Sequence, residues 1–374
     1  MGDVGEIVIN SIVYVHNLHY LCSMMNRNTD DALRLPAEWE EQSGVQLTWP
    51  HRQTDWRPYL AEITETYIAL ARAIVRHEWL LVVTPEADAV RQLLTDRLGA
   101  DALGQITIAQ CDTNDTWARD HGALTLMGEG GPQLLDFRFN GWGDKFAWQY
   151  DNAITTHLCA GGLLHGQRCD YDDMVLEGGS VESDGRGTIF TTSQCLLAPH
   201  RNQPLDRAGI ERLLLQRLHA HRVVWIDHGQ LAGDDTDGHI DTTVRVAPGN
   251  TLLYIRCTDA SDSHYADLAA MERQLQQLTT TGGAPYRLVP LPMAQPIVYD
   301  GERLPATYAN FLVINGAVIY PTYAQPANDV AAREAIAAAF PGRELIGIDS
   351  RVIIRQHGSI HCLTMQYPRG VLRA

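Results

Sequence analysis

Several features are scarce in this 374-residue chain, and each scarcity excludes something. Cysteine occurs seven times, at positions 22, 111, 159, 169, 195, 257 and 362, an odd number with wide spacing and no CxxC. That pattern encodes neither a disulfide scaffold nor a zinc knuckle, and it fits a reducing, cytoplasmic setting. Lys plus Arg number 29 against 45 Asp plus Glu, a formal charge of −16. So acidic a chain is a poor partner for a nucleic-acid backbone and favours small cations. No run reaches the roughly 20 apolar residues that cross a bilayer. The stretch Ile7 to Leu21 is interrupted by Asn10, Ser11, His16, Asn17 and His19 and lies behind Asp3 and Glu6 rather than a basic region, so neither signal peptide nor membrane partner is expected. No GxGxxG follows the first strand, which disfavours a doubly wound dinucleotide fold. No Pro/Ser-rich linker divides the chain. Residues 1–31 read as an N-terminal extension, with Met24 or Met25 as a candidate start, and 32–374 as a single domain.

What is present is a globular balance, 45% hydrophobic and 20% charged. From Asp55 onward short β-runs alternate with amphipathic helices. Leu60, Ile63, Tyr67, Leu70 and Ile74 mark one helix face opened near Pro58. Leu80 to Val83 reads as a buried strand, followed by a helix carrying Val90, Leu93, Leu94 and Leu98 that stops near Gly99, then a strand at Ile106 to Ala109. Further helices are expected around Ile210–Leu218, Leu268–Leu278 and Asn328–Phe340, with strands at Val223–Ile226, Thr251–Ile255 and Leu345–Ile348. Phe311–Ile314 and Ala317–Tyr320 flank Asn315-Gly316, the strongest hairpin signal in the chain. The order is mixed α/β, with hairpins among αβ units.

Four segments carry polar residues that a packed core does not select. Cys111 to Gly122 follows a predicted buried strand, where functional loops sit. Asp112 and Asp115 there also fit a solvated Asx-turn loop. Asp120 borders an apolar run, and Arg119 is one candidate partner for it. Leu176-Glu177-Gly178-Gly179-Ser180 places a carboxylate at a strand end, either an edge charge or a functional acid. Asp234 to Asp241 sets His239 and Asp241 two apart, on one face if extended. One imidazole beside one carboxylate is a proton-transfer unit. A structural histidine and a divalent-metal site are competing readings, although the spacing matches no EF-hand. Gln356 to Gln366 holds Cys362 among Gly358, Ser359, His357 and His361. With His239 far upstream this is a Cys/His nucleophile pair, distant in sequence and adjacent in space, without the signature of papain-like proteases.

Read jointly, these segments resemble the agmatine deiminase family, within the bacterial-type peptidylarginine deiminase group. The resemblance runs from Leu35-Pro36-Ala37-Glu38-Trp39-Glu40 and Thr48-Trp49-Pro50, through Asn114 to Asp120, Phe139-Asn140-Gly141-Trp142-Gly143 and Glu177-Gly178-Gly179. It ends with Gly233 to Asp241 and Gly358-Ser359-Ile360-His361-Cys362. It implies a pentein, a five-bladed α/β propeller of ββαβ units about a pseudo-fivefold axis, with 32–374 as one catalytic domain.

The resemblance also implies a reaction: hydrolysis of agmatine to N-carbamoylputrescine and ammonia, a step toward putrescine and other polyamines. Asp120 and Asp241 would grip the guanidinium, Cys362 would attack it as thiolate, and His239, paired with Glu177, would move protons. Trp117 and Asp237 would contact substrate, Trp117 by stacking or by lining the tail channel, unless it is a buried structural residue. No metal or organic cofactor is implied, and relatives are often homodimers. Free- or peptidyl-arginine deiminase, amidinotransferase and a catalytically silent binder of cations are the alternatives.

Overall fold

The computed structural model describes Leu33 to Leu372; the 1–31 extension, with Met24 and Met25, falls outside the described residues. A ββαβ arrangement recurs within them. Gln133–Arg138 pairs antiparallel with Leu124–Leu126 and parallel with Gln167–Val175. Thr188–Thr192 does the same with Val181–Ser183 and Arg222–Ile226. Thr251–Arg256 lies between Val244–Ala247 and Arg287–Pro292, and Ala317–Thr322 between Leu312–Ile314 and Glu344–Asp349. In the remaining large sheet, Gln42–Thr48 pairs antiparallel with Thr364–Pro368 and parallel with Trp79–Thr84, which in turn takes Ile106–Gln110 in parallel. The chain is therefore a mixed α/β fold of several small mixed sheets.

A helix spans each parallel connection, as a crossover requires: Leu60–Ile74, Ala87–Leu98, Gln149–Ala160, Arg207–Arg217, Tyr265–Gln277 and Pro326–Ala339. The 3–4 periodicity explains the burial. Ile63, Tyr67, Leu70 and Ile74 are all fully buried, in one apolar cluster with Val45, Leu47, Leu80 and Val82 of the adjoining strands. Each such side chain contributes about 1.5–3 kcal/mol, so Leu70→Ala would leave a costly void. Ala87–Leu98 ends where Gly99 takes φ 89°, as its sequence position suggests. The hairpin about Asn315-Gly316 forms with Gly316 at φ 72°.

Hydrophobic patterning does not reveal every strand. Gln167–Val175 is largely half-buried or exposed and carries three aspartates; it is the outer strand of its sheet. Val181–Ser183 is only three residues long. Cys362 does not directly follow a strand; it sits in a turn leading into Thr364–Pro368. His239 and Asp241 are not on an extended segment either. Asp237 and Gly238 take φ 66° and 89°, and a 3-10 turn, Ile240–Thr242, follows. Among the described residues no helix is long and apolar enough to cross a membrane.

Candidate active site

One topological position supplies the polar residues of the site. Asp120 lies just upstream of Leu124–Leu126, Glu177 of Val181–Ser183, and His239 and Asp241 of Val244–Ala247. Asn310 precedes Leu312–Ile314, and Cys362 precedes Thr364–Pro368. In every case the residue sits on the loop that enters the first strand of its ββαβ repeat.

The Cys362 Sγ lies 3.7 Å from Asp241 Oδ2 and 3.3 Å from Asn310 Oδ1. Asn310 Oδ1 also accepts from the backbone N–H of His361 at 3.0 Å and of Cys362 at 3.3 Å, which fixes the turn that carries the thiol. Burial, reinforced by the charges of Asp241 and Asp120, holds that thiol well above its ordinary range. A thiolate there calls for a compensating cation.

Asp120 Oδ1 accepts from the Gly179 N–H at 3.0 Å and lies 3.6 Å from His239 Nδ1. Its Oδ2 accepts from Trp142 Nε1 at 3.0 Å. Trp142 is aimed there by a run of left-handed residues, Gly141, Trp142, Gly143 and Asp144, a conformation costly for so bulky a side chain. Burial, with Asp241 and Glu177 close by, lifts Asp120 to about 6 against the pull of His239 and the Gly179 N–H. Gly179 has no room for a side chain. A Cβ there would stand 2.6 Å from His239 Nδ1, 2.9 Å from Asp120 Oδ1 and 3.1 Å from Asp241 Oδ2.

Two buried histidines flank this point. Burial alone would lower His239, yet Asp120, Cys195 and Glu177 raise it well above the usual imidazole range. Neither of its ring nitrogens has a hydrogen-bond partner among the described residues. His361, by contrast, holds Asp241 Oδ2 with Nδ1 and Glu38 Oε1 with Nε2, both at 2.7 Å. Although burial pushes Asp241 upward, the hydrogen bond and charge of His361, with His239 and Arg245 near, keep it below the usual carboxylate range. Glu38 continues the network through Arg245, which also binds Glu182.

A cavity of about 380 Å³ opens onto Cys362 and Asp120. Trp117, Trp142, Phe146, Gly358 and His357 line it, together with Asp55, Asp115 and Asp235, and no Lys or Arg is among its lining residues. The arrangement can receive a flat cation, hold it by carboxylates, and present a thiol to it.

A model of the Porphyromonas-type peptidyl-arginine deiminase family matches residues 34–368. The chain belongs to that family. It is 32% identical over 371 residues to an agmatine deiminase of Stutzerimonas stutzeri, covering 92% of this chain and 97% of that protein. A C. jejuni agmatine deiminase variant solved with substrate bound is 35% identical, with a TM-score of 0.82 over 91% of this chain and 98% of that one. A Porphyromonas gingivalis structure, provisionally named an arginine deiminase, is 48% identical with a TM-score of 0.86 over 91% of this chain and all of that one.

Within this deiminase-family chain, the residues singled out from sequence are not all brought together. His239, Asp120 and Asp241 converge around Gly179, and the Cys362 Sγ reaches this group through Asp241 at 3.7 Å. Glu177 is fully buried rather than an edge charge; its Oε1 takes Arg201 Nε at 2.9 Å, and it lies beside His239 without bonding to it. Arg119 turns away from Asp120 toward Glu38, at 3.3 Å, and Gln366. Trp117 lines the cavity while donating to Asp115 at 3.0 Å, and its ring meets those of Trp56 and Trp142. Asp237 lies outside the cavity lining, paired with Arg201 at 2.6 Å and Lys145 at 2.9 Å. Asp112 is exposed, as a solvated loop would have it, whereas Asp115 is half-buried and raised to about 7 by burial and Asp55. Sequence reasoning passed over Asn310, Arg201 and the role of His361. The signal for Asn310 was its place just before a hairpin strand.

Proposed function

We propose that this protein hydrolyses agmatine to N-carbamoylputrescine and ammonia through a covalent amidino-cysteine. The observation that carries the choice of substrate is the acidic lining of the cavity. Asp120 and Asp241 suit a guanidinium through charge-assisted, fork-like hydrogen bonds. Asp55, Asp115 and Asp235 suit an ammonium at the other end of a short chain. The α-carboxylate of arginine would meet those acids with no Lys or Arg in the lining to receive it.

Binding the cation offsets the charges that oppose ionisation of Cys362, so thiolate and substrate appear together. The thiolate adds to the guanidinium carbon, and proximity supplies much of the rate. His239, protonated at rest beside Asp120, gives its proton to the departing nitrogen, which leaves as ammonia. Water then adds to the S-amidino carbon as His239 takes a proton from it. The C–S bond breaks as the remaining hydroxyl proton passes to solvent, regenerating the thiolate and releasing the N-carbamoyl amine. Glu177 acts on His239 through charge, with Arg201 fixing its orientation. The five repeated sheets and the shared position of their polar residues support a pentein propeller, with the described residues as one catalytic unit. Cysteine usage supports a cytoplasmic setting.

Ammonia release from agmatine, free arginine and a peptide ending in arginine tests this reading. Agmatine should be turned over far faster than the other two. Preference for either arginine substrate would replace it with the reading favoured by the family's name and the P. gingivalis relative. Cys362→Ser should abolish release while the melting temperature holds.

A further inference from the structure

Two groups of three side chains have donor atoms spaced as metal ligands among the described residues. In Glu38, Glu182 and His361 the donors are already used, because Arg245 bridges the two carboxylates and both His361 nitrogens are bonded. Glu177, Cys195 and His239 differ. One donor atom from each lies within 4.8 Å of the others, and all three residues are almost completely buried. Arg201 occupies only Oε1 of Glu177, leaving Oε2 without a partner, as are both ring nitrogens of His239.

Cys195 is held firmly in this group. It sits on the short helix Ser193–Leu196, where its N–H is capped by Thr192 Oγ1 at 3.3 Å. The same hydroxyl donates to the carbonyl of Gly238, next to His239, at 2.6 Å. A thiolate, an imidazole and a carboxylate in this arrangement form a ligand set that Zn²⁺ takes with three protein donors and an open fourth position.

We propose that Glu177, Cys195 and His239 form an inhibitory binding site for a thiophilic divalent cation such as Zn²⁺. On binding, Cys195 loses its thiol proton and His239 gives up its own, both to solvent, so that sulfur and ring nitrogen each donate a lone pair to the metal. The charges of Glu177 and the Cys195 thiolate neutralise the ion, while Asp120 beside His239 offsets Arg201. The acidic cavity concentrates cations next to Asp120, which lies 3.6 Å from His239. With its nitrogen committed to the metal, His239 can no longer carry a proton, and turnover stops until a chelator removes the ion. Binding depends only on the three ligands; its inhibitory consequence rests on the proposed role of His239.

Zinc-soaked crystals of the Cys362→Ala protein test the site directly, through an anomalous peak among Glu177, Cys195 and His239. Its absence there, or a peak on other side chains, overturns the proposal. In solution, Cys195→Ser, compared with its own Zn²⁺-free rate, should weaken Zn²⁺ inhibition more than about a hundredfold, beyond the about 10–100-fold that losing a supporting neighbour costs. Unchanged Zn²⁺ potency in that variant overturns it too. A peak at the three ligands without inhibition would leave the site standing and remove His239 from proton transfer.

Discussion

His239 and His361 are both buried, both beside a site carboxylate, and differently employed. His361 has a carboxylate oxygen 2.7 Å from each nitrogen, and an imidazole donates at both nitrogens only as the cation. Such a ring is an anchor. His239 has Asp120 at 3.6 Å and Cys195 close by, with neither nitrogen held as those of His361 are among the described residues, so its proton can leave and return. A polar network satisfied throughout rigidifies its members, whereas an unsatisfied group is held ready at some energetic cost.

Replacing each ring breaks the comparison in opposite ways. His239→Asn should lower the rate of ammonia release about 10³-fold, within the range for a lost acid–base group, and barely move the melting temperature. A variant that still turns over at near the parent rate would take His239 out of the chemistry. His361→Leu should instead show itself in stability, because Glu38 and Asp241 are left as buried charges without their partner. A loss of about 3–5 kcal/mol is expected in urea unfolding; an unchanged midpoint would mean that the network does not anchor Asp241.

The pH profile sharpens the contrast. Asp120, near 6, is the group beside His239 that titrates closest to neutrality. Below that value it gains a proton and loses the charge that holds the guanidinium. kcat/KM should therefore fall on the acid side with an apparent pKa near 6, approaching tenfold per pH unit. A profile that stays level for about one unit below 6 would contradict this. Smallest is the effect of Asp235, another acid of the cavity lining. Asp235→Asn should raise KM for agmatine by no more than about fivefold, the scale of one partly solvated charge pair, and leave kcat nearly unchanged.

The sequence distinguished these histidines only in part. Helix and strand runs with strong periodicity, such as Leu60–Ile74 and Trp79–Thr84, were legible because burial of one face dictates the letters. Gln167–Val175 was not, since an outer strand has little need of apolar residues. At the site, His239, Asp241 and Cys362 stood out as chemistry-bearing types in tight clusters. What makes His361 an anchor is Glu38, 323 residues away along the chain, and no local pattern announces a partner at that distance. Local pattern left Glu177 open as an edge charge or a functional acid because Arg201, which accompanies it into the interior, lies 24 residues on. The Arg119–Asp120 pairing suggested by adjacency fails because neighbours on the short helix Ala118–His121 point different ways.

Thr364–Pro368 pairs with Gln42–Thr48, and Cys362 stands two residues ahead of it. During synthesis Asp120, Glu177, His239 and Asp241 are therefore made long before the sulfur can be fixed among them. Chemical competence arrives late in the life of each molecule, when the final strand closes onto the earliest sheet. A chain halted short of that strand, or clipped ahead of it, would lack the pairing that fixes the sulfur and attack nothing.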